Sequence, residues 1–222
     1  MLDGAAGLGA PFVNLDFEQA QVVFTTPPIY ISAAAAFPGW QVLANGQPFD
    51  GGGYNYSGIG EPVMGLYDRP VSGILSQGPL QGLYTALPRR SSDGSVRVSL
   101  RQVGDVPPGT QTLRILGANR RPPPVVMLES QALQFVRTTT SPFPGGEFPV
   151  EFAADIAQFS GAPGTRLEII SPPIGIDAFA FIDDIRFSPA PIPEPRSLAL
   201  LISVPTLWLP RRRRRWRPAR IL

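Results

Sequence analysis

Proline and glycine occur throughout this chain and limit what it can fold into. The sequence contains 27 Pro and 23 Gly among 222 residues, so few stretches can form a long helix. Short strands joined by turns tolerate this spacing, because proline and glycine are the residues that tight turns favour. We therefore expect an all-β fold.

Alternating apolar and polar residues support this prediction. Within 95–101 the apolar residues are Val96, Val98 and Leu100, which is typical of a half-buried strand. The turn residues at 107–109 and a second alternating run at 112–116 predict an antiparallel pair. Further strands are predicted at 13–17, 40–43, 82–87, 125–128, 148–152, 166–170 and 179–187. So many short strands favour a single β-sandwich or jelly roll.

The absence of two residue types excludes several kinds of chemistry. The chain has no Cys and no His, so disulfides, thiol nucleophiles and zinc fingers are impossible. A catalytic triad with a histidine base is excluded as well. Any acid–base catalysis would have to rest on carboxylates.

Charge is distributed unevenly along the chain. Residues 1–195 carry 11 Arg and 17 acidic residues, whereas residues 196–222 carry 8 Arg and no acidic residue. The body is therefore acidic and the tail strongly basic. Because phosphate binding needs a basic face, we expect no nucleic-acid partner for the body.

The last thirty residues contain three elements in a fixed order. A motif of Pro193, Glu194 and Pro195 precedes an apolar segment at 198–209. As a helix these 12 residues would cover roughly 18 Å, well short of a bilayer core of about 30 Å. Pro205 would interrupt that helix. The segment is followed by five arginines: Arg211, Arg212, Arg213, Arg214 and Arg215.

This tail resembles a PEP-CTERM sorting signal, the C-terminal tag of many Gram-negative envelope and biofilm proteins. The resemblance implies an exosortase as partner, transient insertion of 198–209 into the inner membrane, and cleavage near the motif. The mature protein would then lie at the cell surface or in the extracellular matrix. A buried C-terminal helix and a nucleic-acid-binding arginine tail are the alternatives.

The tail suggests a division of the whole chain. Residues 1–12 are interpreted as a leader remnant or a disordered start, because they lack the long apolar run of a secretion signal. Residues 13–188 form the predicted sandwich, and residues 189–197 form a proline-rich linker that contains the motif. Residues 198–222 are the apolar sorting helix and the arginine-rich stop.

Two sequence segments of the body resemble parts of galactose-binding-domain-like jelly rolls. The segment at 14–18, followed by Pro-Gly-Trp at 38–40, is similar to the opening of such domains, and 181–187 is similar to their closing strand. The resemblance implies that the first and last strands are neighbours. It also implies a structural calcium ion, with Glu18 and Asp184 as ligands.

Calcium prefers several hard oxygen ligands, so Asp16 and Asp183 could complete the set. The alternative is that the Asp183–Asp184 pair solvates an edge strand. Strict alternation places Asp183 on the core side, where a bare carboxylate is costly to bury. A bulge or a bound cation would relieve this cost.

A glycine-rich segment at 50–57 supplies candidate glycan-binding residues. Tyr54 and Tyr56 would point the same way in an extended strand, and Asn55 would point elsewhere. Aromatic rings can stack on sugars, while the amide can bind hydroxyl groups. The alternative is a flexible turn whose tyrosines cover the edge of the sandwich.

These patterns predict an exported surface or biofilm-matrix protein without enzymatic activity. Binding of an extracellular polysaccharide is the alternative function. A glycosidase that uses paired carboxylates is a more remote alternative. The acidic residues available for such a pair are Glu61, Glu129, Glu147, Glu151 and Glu168.

Overall fold

The computed structural model describes residues 9–24, 30–56, 63–70, 78–118, 123–139, 149–173 and 180–192. Within these ranges the protein is all-β, which confirms the predicted class. The helical elements found there are α1 (Ala33–Ala36) and a 3₁₀ turn (Ala157–Phe159). The strands are β1 (Tyr30–Ile31), β2 (Gln41–Ala44), β3 (Gln47–Pro48), β4 (Gly52–Tyr54), β5 (Val63–Tyr67), β6 (Thr85–Arg89), β7 (Val98–Gly104), β8 (Thr112–Ala118), β9 (Val125–Leu128), β10 (Gln131–Ala132), β11 (Val136–Arg137), β12 (Pro149–Asp155), β13 (Thr165–Ile170) and β14 (Asp183–Ser188).

The strands of the described ranges form three sheets. One sheet has the order β1-β4-β5-β6, the second has the order β10-β9-β13-β7-β2-β3, and the third has the order β11-β12-β8-β14. Strands β4 and β5 run parallel, whereas the other pairs within these sheets are antiparallel. Antiparallel pairs suit a chain whose strands are short and joined by turns.

An isolated bridge between Ala86 and Ile182 connects the first and third sheets. Ala86 of β6 donates to the carbonyl of Ile182 over 3.1 Å, and Ile182 donates back to Ala86 over 3.0 Å. Ile182 directly precedes β14. These two hydrogen bonds therefore connect the edge strand β6 to the start of β14.

All three sheets contribute to one hydrophobic core. The main cluster of buried side chains includes Leu100 and Ile169 from the second sheet, Leu66 from the first, and Ile115 and Phe152 from the third. A smaller cluster lies on the opposite side of β5 and β6 and includes Tyr67 and Leu87. Strand β6 is consequently buried along its whole length.

The prediction of a strand at 13–17 is wrong. Asn14 and Phe17 adopt φ values of 49° and 60°, a left-handed conformation that an extended strand does not contain. The backbone instead turns here, and the Trp40 indole N–H donates to the Asn14 carbonyl over 3.0 Å. The side chain of Phe17 is still fully buried, so the segment contributes to the core without pairing as a strand.

The predicted pairing of 95–101 with 112–116 is also wrong. Strand β7 pairs with β2 and β13, whereas β8 pairs with β12 and β14 in another sheet. The connecting segment is bound to other parts of the chain, because Asp105 N–H donates to Ala10 and Val106 N–H donates to Ala162, each over 3.0 Å. The turn at 107–109 therefore carries the chain from one sheet to the other.

Candidate functional site

The C-terminal end of the folded body is held against the third sheet. The Thr112 hydroxyl donates to the carbonyl of Ala190 over 2.9 Å, and an Arg114 terminal nitrogen donates to the carbonyl of Pro191 over 3.3 Å. The described chain ends at Ile192. The predicted sorting motif therefore begins directly after a segment that is attached to the body.

The sorting residues themselves lie outside the described residues. These are Pro193, Glu194, Pro195 and the five arginines Arg211, Arg212, Arg213, Arg214 and Arg215. The predicted helix at 198–209 lies outside them too. Within the described ranges, no helix has both the length and the apolar character needed to cross a membrane.

The opening segment of the body contacts the closing strand β14, although 13–17 is not the paired first strand that the jelly-roll resemblance implies. The backbone N–H of Ile185 donates to the carbonyl of Leu15 over 3.0 Å. Burial raises the pKa of Asp183 in the closing strand, and the charge of Glu18 from the opening segment adds to that increase. The opening and closing segments of the body therefore place acidic side chains in one region.

Asp183 is a buried carboxylate that accepts hydrogen bonds from three groups. Its Oδ2 atom accepts from the Thr85 hydroxyl over 2.9 Å and from Gln81 N–H over 3.0 Å. Its Oδ1 atom accepts from Asp184 N–H over 2.8 Å. Burial raises the pKa of Asp183 to about 7, although these hydrogen bonds act in the opposite direction.

A β-bulge provides the geometry for this carboxylate. The register of β14 against β8 shifts between Asp183 and Arg186, and Asp184 has a φ of 44°. The bulge breaks strict alternation, so that both aspartates are buried in succession. The structure therefore contains the bulge that was one of the two predicted ways to accommodate Asp183.

Glu18 fixes the backbone of a neighbouring loop. Its Oε1 atom accepts hydrogen bonds from Leu83 N–H over 2.8 Å and from Tyr84 N–H over 3.1 Å. Asp183 binds the same loop at Gln81 and Thr85. Two carboxylates, one from the opening segment of the body and one from its closing strand, thus hold the segment from 81 to 85.

The other two predicted calcium ligands have different partners. Burial raises the pKa of Asp184, the charge of Arg186 lowers it, and the charges of Asp16 and Glu151 raise it. Arg186 Nε lies 3.1 Å from Asp184 Oδ2. Asp16 Oδ1 accepts from Glu18 N–H over 3.3 Å.

These four acids do not form one metal centre in the structure. Among the described residues, no group of three or more acidic side chains is placed to hold a metal ion. The Oδ2 atom of Asp183 already accepts from two donors, as does Oε1 of Glu18. Their geometry fits backbone anchoring better than shared coordination, and calcium binding stays a prediction.

Two of the three predicted glycan-binding residues, Tyr54 and Asn55, belong to a larger cluster of aromatic and polar side chains. The Tyr54 hydroxyl donates to Asp68 Oδ2, and Asn55 Nδ2 donates to Asp68 Oδ1 over 2.7 Å. Arg69 Nε also donates to Asp68 Oδ1, over 3.1 Å. Phe24 contacts the Tyr54 ring edge to face, with the ring centroids 5.6 Å apart. Together, Phe24, Tyr54, Asn55, Asp68 and Arg69 are called the Asp68 cluster.

Asp68 remains ionised at the centre of this cluster. Burial alone would raise the pKa of Asp68, but the hydrogen bonds from Tyr54, Asn55 and Arg69 outweigh this effect and lower it. Burial raises the pKa of Tyr54, and its hydrogen bond to Asp68 raises it further. The tyrosine is therefore a neutral donor to a charged acceptor.

The prediction that Asn55 points away from Tyr54 is wrong. Asn55 has a φ of 49°, so the chain is not extended there and both side chains bind the same carboxylate. Tyr56 lies outside the Asp68 cluster and packs against Tyr30, with their ring centroids 6.0 Å apart. The two tyrosines thus belong to two different aromatic pairs.

Sequence reasoning missed Asp68, Arg69 and Phe24. The first two directly follow β5, and a pair of charged residues at the end of an apolar strand was an available signal. Phe24 forms an isolated bridge with Ile31 of β1. Its proximity to Tyr54 depends on pairing between distant segments, which local sequence does not reveal.

The described candidates for a glycosidase pair are engaged in other contacts. Glu151 is held by Arg114 and Arg186, at 2.8 Å and 2.9 Å. Glu168 binds Arg101 at 3.2 Å, and Glu129 accepts from Arg166 N–H at 2.7 Å. Glu61 and Glu147 lie outside the described residues.

Comparison with known proteins identifies no family. No family model matches the chain, and no curated protein matches it. One similar solved structure is a cyclase from Fischerella sp. TAU, with 15% identity, a TM-score of 0.46, and coverage of 81% of this chain and 95% of that one. A second is the Stig cyclase Fisc from the same organism, in complex with an indole compound, with 13% identity, a TM-score of 0.45, and coverage of 81% and 96%.

These neighbours correct one prediction. The sequence predicted a protein without enzymatic activity, but both similar structures are named as cyclases, which are enzymes. The exclusion of catalysis is therefore withdrawn. The similarity is too low to assign an activity or a substrate to this chain.

Proposed function

We propose that this chain is an exported surface or biofilm-matrix protein that an exosortase sorts through its C-terminal signal. The observation that carries the proposal is the order of Pro193-Glu194-Pro195, an apolar segment and an arginine cluster. Transient insertion of 198–209 would leave the arginines on the cytoplasmic side. The body would then lie on the outer side of the inner membrane.

The proposal assigns a role to each part of the chain. Residues 13–188 form a jelly roll of the galactose-binding type, and the contact of Ile185 with Leu15 supports this topology. Residues 189–197 link the body to the apolar and basic tail at 198–222. Ala190 and Pro191, which bind the third sheet, lie within this linker.

The location of the protein in cells tests this function. The chain, supplied with a secretion signal, is expressed in a Gram-negative host with and without an exosortase, and the fractions are compared. We expect release from the inner membrane only when the exosortase is present. A triple variant with Pro193→Ala, Glu194→Ala and Pro195→Ala is the matched control and should stay in the membrane fraction. An identical distribution in all three cases would contradict the proposal.

Glycan binding by the body is a second function, favoured by the Asp68 cluster. The cluster combines the Tyr54 ring and the exposed Phe24 with polar groups of Asn55 and Arg69 around one carboxylate. Aromatic surfaces beside charged and amide groups are suited to recognise sugars, which have both apolar faces and hydroxyl groups.

A glycan array tests the second function. Tyr54→Ala should abolish retention, because it removes both the ring and a hydrogen bond to Asp68. Leu83→Ala is the control, since Leu83 is 66% exposed and lies outside the cluster. Equal retention of the native chain and Tyr54→Ala would exclude this site.

A further inference from the structure

Arg69 is the charged residue of the Asp68 cluster that is most exposed to solvent. Its side chain is 63% exposed, compared with 30% for Asp68. Its Nε atom donates to Asp68 Oδ1 over 3.1 Å, and its guanidinium carbon lies 5.9 Å from the centroid of the Tyr54 ring. A carboxylate and an aromatic ring therefore orient this guanidinium.

The Asp68 carboxylate is engaged by donors from the protein. Oδ2 accepts from the Tyr54 hydroxyl, and Oδ1 accepts from Asn55 and Arg69. Its lowered pKa keeps it ionised, so it continues to hold these donors. Asp68 therefore acts as a positioning residue for Arg69 and does not serve as the main acceptor for sugar hydroxyl groups.

We propose that the glycan bound at this cluster is an acidic polysaccharide and that Arg69 binds its carboxylate groups. The inference rests on the glycan-binding function proposed above and names its ligand class. A guanidinium presents parallel N–H donors that match the two oxygens of a carboxylate. Hydrogen bonds of this charged kind are roughly twice as strong as those between neutral groups.

The aromatic members of the cluster complement this charge. Phe24 is 53% exposed and meets the Tyr54 ring at an interplanar angle of 79°. An exposed ring beside a guanidinium offers an apolar surface to the C–H face of a sugar whose carboxylate binds Arg69. The cluster thus contains separate groups for the two parts of a uronate residue.

The negative charge of the body does not prevent this binding. Within the cluster, the charges of Asp68 and Arg69 offset each other. The excess of acidic residues in 1–195 acts from farther away, and exposed charges are screened beyond about 8 Å at physiological ionic strength. Direct contact with Arg69 therefore decides whether the site prefers an acidic or a neutral glycan.

Titration calorimetry of the full-length chain tests the proposal. The probes are polygalacturonate, its methyl-esterified form and the neutral polymer dextran. We expect polygalacturonate to bind about tenfold or more tightly than the ester, because the ester loses the charged hydrogen bonds. Arg69→Gln should remove this preference, and Arg69→Lys should restore part of it. Arg97→Gln is the control, since Arg97 is an exposed arginine outside the cluster.

The outcomes separate this inference from the function on which it rests. Equal binding of the acid and the ester by the native chain overturns the acidic ligand but keeps glycan binding. A preference for the acid that Arg69→Gln and Arg97→Gln reduce equally overturns the role of Arg69. Binding to none of the three polymers, with an unchanged melting curve, counts against glycan binding itself and removes the basis for this inference.

Discussion

Thr85 and Asp183 are joined by a hydrogen bond of 2.9 Å, although 98 residues separate them along the chain. The Thr85 hydroxyl is the donor, and both residues are almost completely buried. The contact connects the start of β6 to the start of β14. It places a titratable group inside the region where the first and third sheets meet.

Asp183 should make stability depend on pH below neutrality. Its pKa is about 7 in the folded chain, compared with the usual 3.8. The folded state therefore holds a proton between these pH values that the unfolded state has lost, so stability falls as the pH rises from 4 toward 7. The difference corresponds to an energy on the order of 4 kcal/mol. Urea unfolding across this pH range measures it.

The variant Asp183→Asn supplies the comparison for this measurement. Asparagine has a similar shape and no charge, so the variant should lose this part of the pH dependence. The difference in free energy of unfolding between the two proteins should change between pH 4 and pH 7. A constant difference over that range would contradict the account.

Glu18→Ala should destabilise the chain by about 1 to 3 kcal/mol, because two backbone donors lose a charged acceptor. These donors are the N–H groups of Leu83 and Tyr84. Gln19→Ala is the matched control at an exposed neighbouring position and should change stability by less than about 0.5 kcal/mol. Urea denaturation of both variants tests this, and equal effects would argue against an anchoring role for Glu18.

Asp68→Asn should show the opposite pH dependence to Asp183→Asn. The pKa of Asp68 is lowered in the folded state, so the ionised form contributes stability above the unfolded pKa. That contribution is lost as the pH falls through the folded pKa. At neutral pH we expect a loss of about 1 kcal/mol, since the side chain is partly exposed. The loss should shrink in acid, and a constant loss down to pH 2 would be inconsistent with this role.

Thermal melting with calcium and with a chelator tests the predicted calcium site. A cation that binds only the folded state adds about 2.7 kcal/mol to stability at a hundredfold excess over its Kd. Calcium bound by the predicted set of Glu18, Asp184, Asp16 and Asp183 should also keep Asp183 ionised and reduce the pH dependence described above. An unchanged melting temperature in calcium would contradict the prediction.

Local patterns in the sequence predicted much of the strand content. The strand predicted at 125–128 has the bounds found in the structure, and those predicted at 112–116 and 166–170 differ only at their ends. In these segments the side-chain pattern and the backbone agree. The prediction failed at 13–17, because Asn14 and Phe17 adopt left-handed conformations that support contacts with distant residues.

The candidate site was predicted only in part, for a similar reason. Tyr54 and Asn55 were identified by residue type. Their shared partner Asp68 follows β5, the strand that pairs in parallel with β4. Pairing between β4 and β5 leaves no local signal in the sequence. The bulge at Asp183 was foreseen as an alternative to a cation because a buried carboxylate needs compensation.

The intact mass of the processed chain tests the central claim most directly. The chain, with a supplied secretion signal, is purified from cells with and without an exosortase and measured by mass spectrometry. The account predicts a product that ends near Glu194 in cells with the enzyme and has lost the arginine-rich tail. Full-length protein with Arg211 to Arg215 still present in both cells would contradict the account.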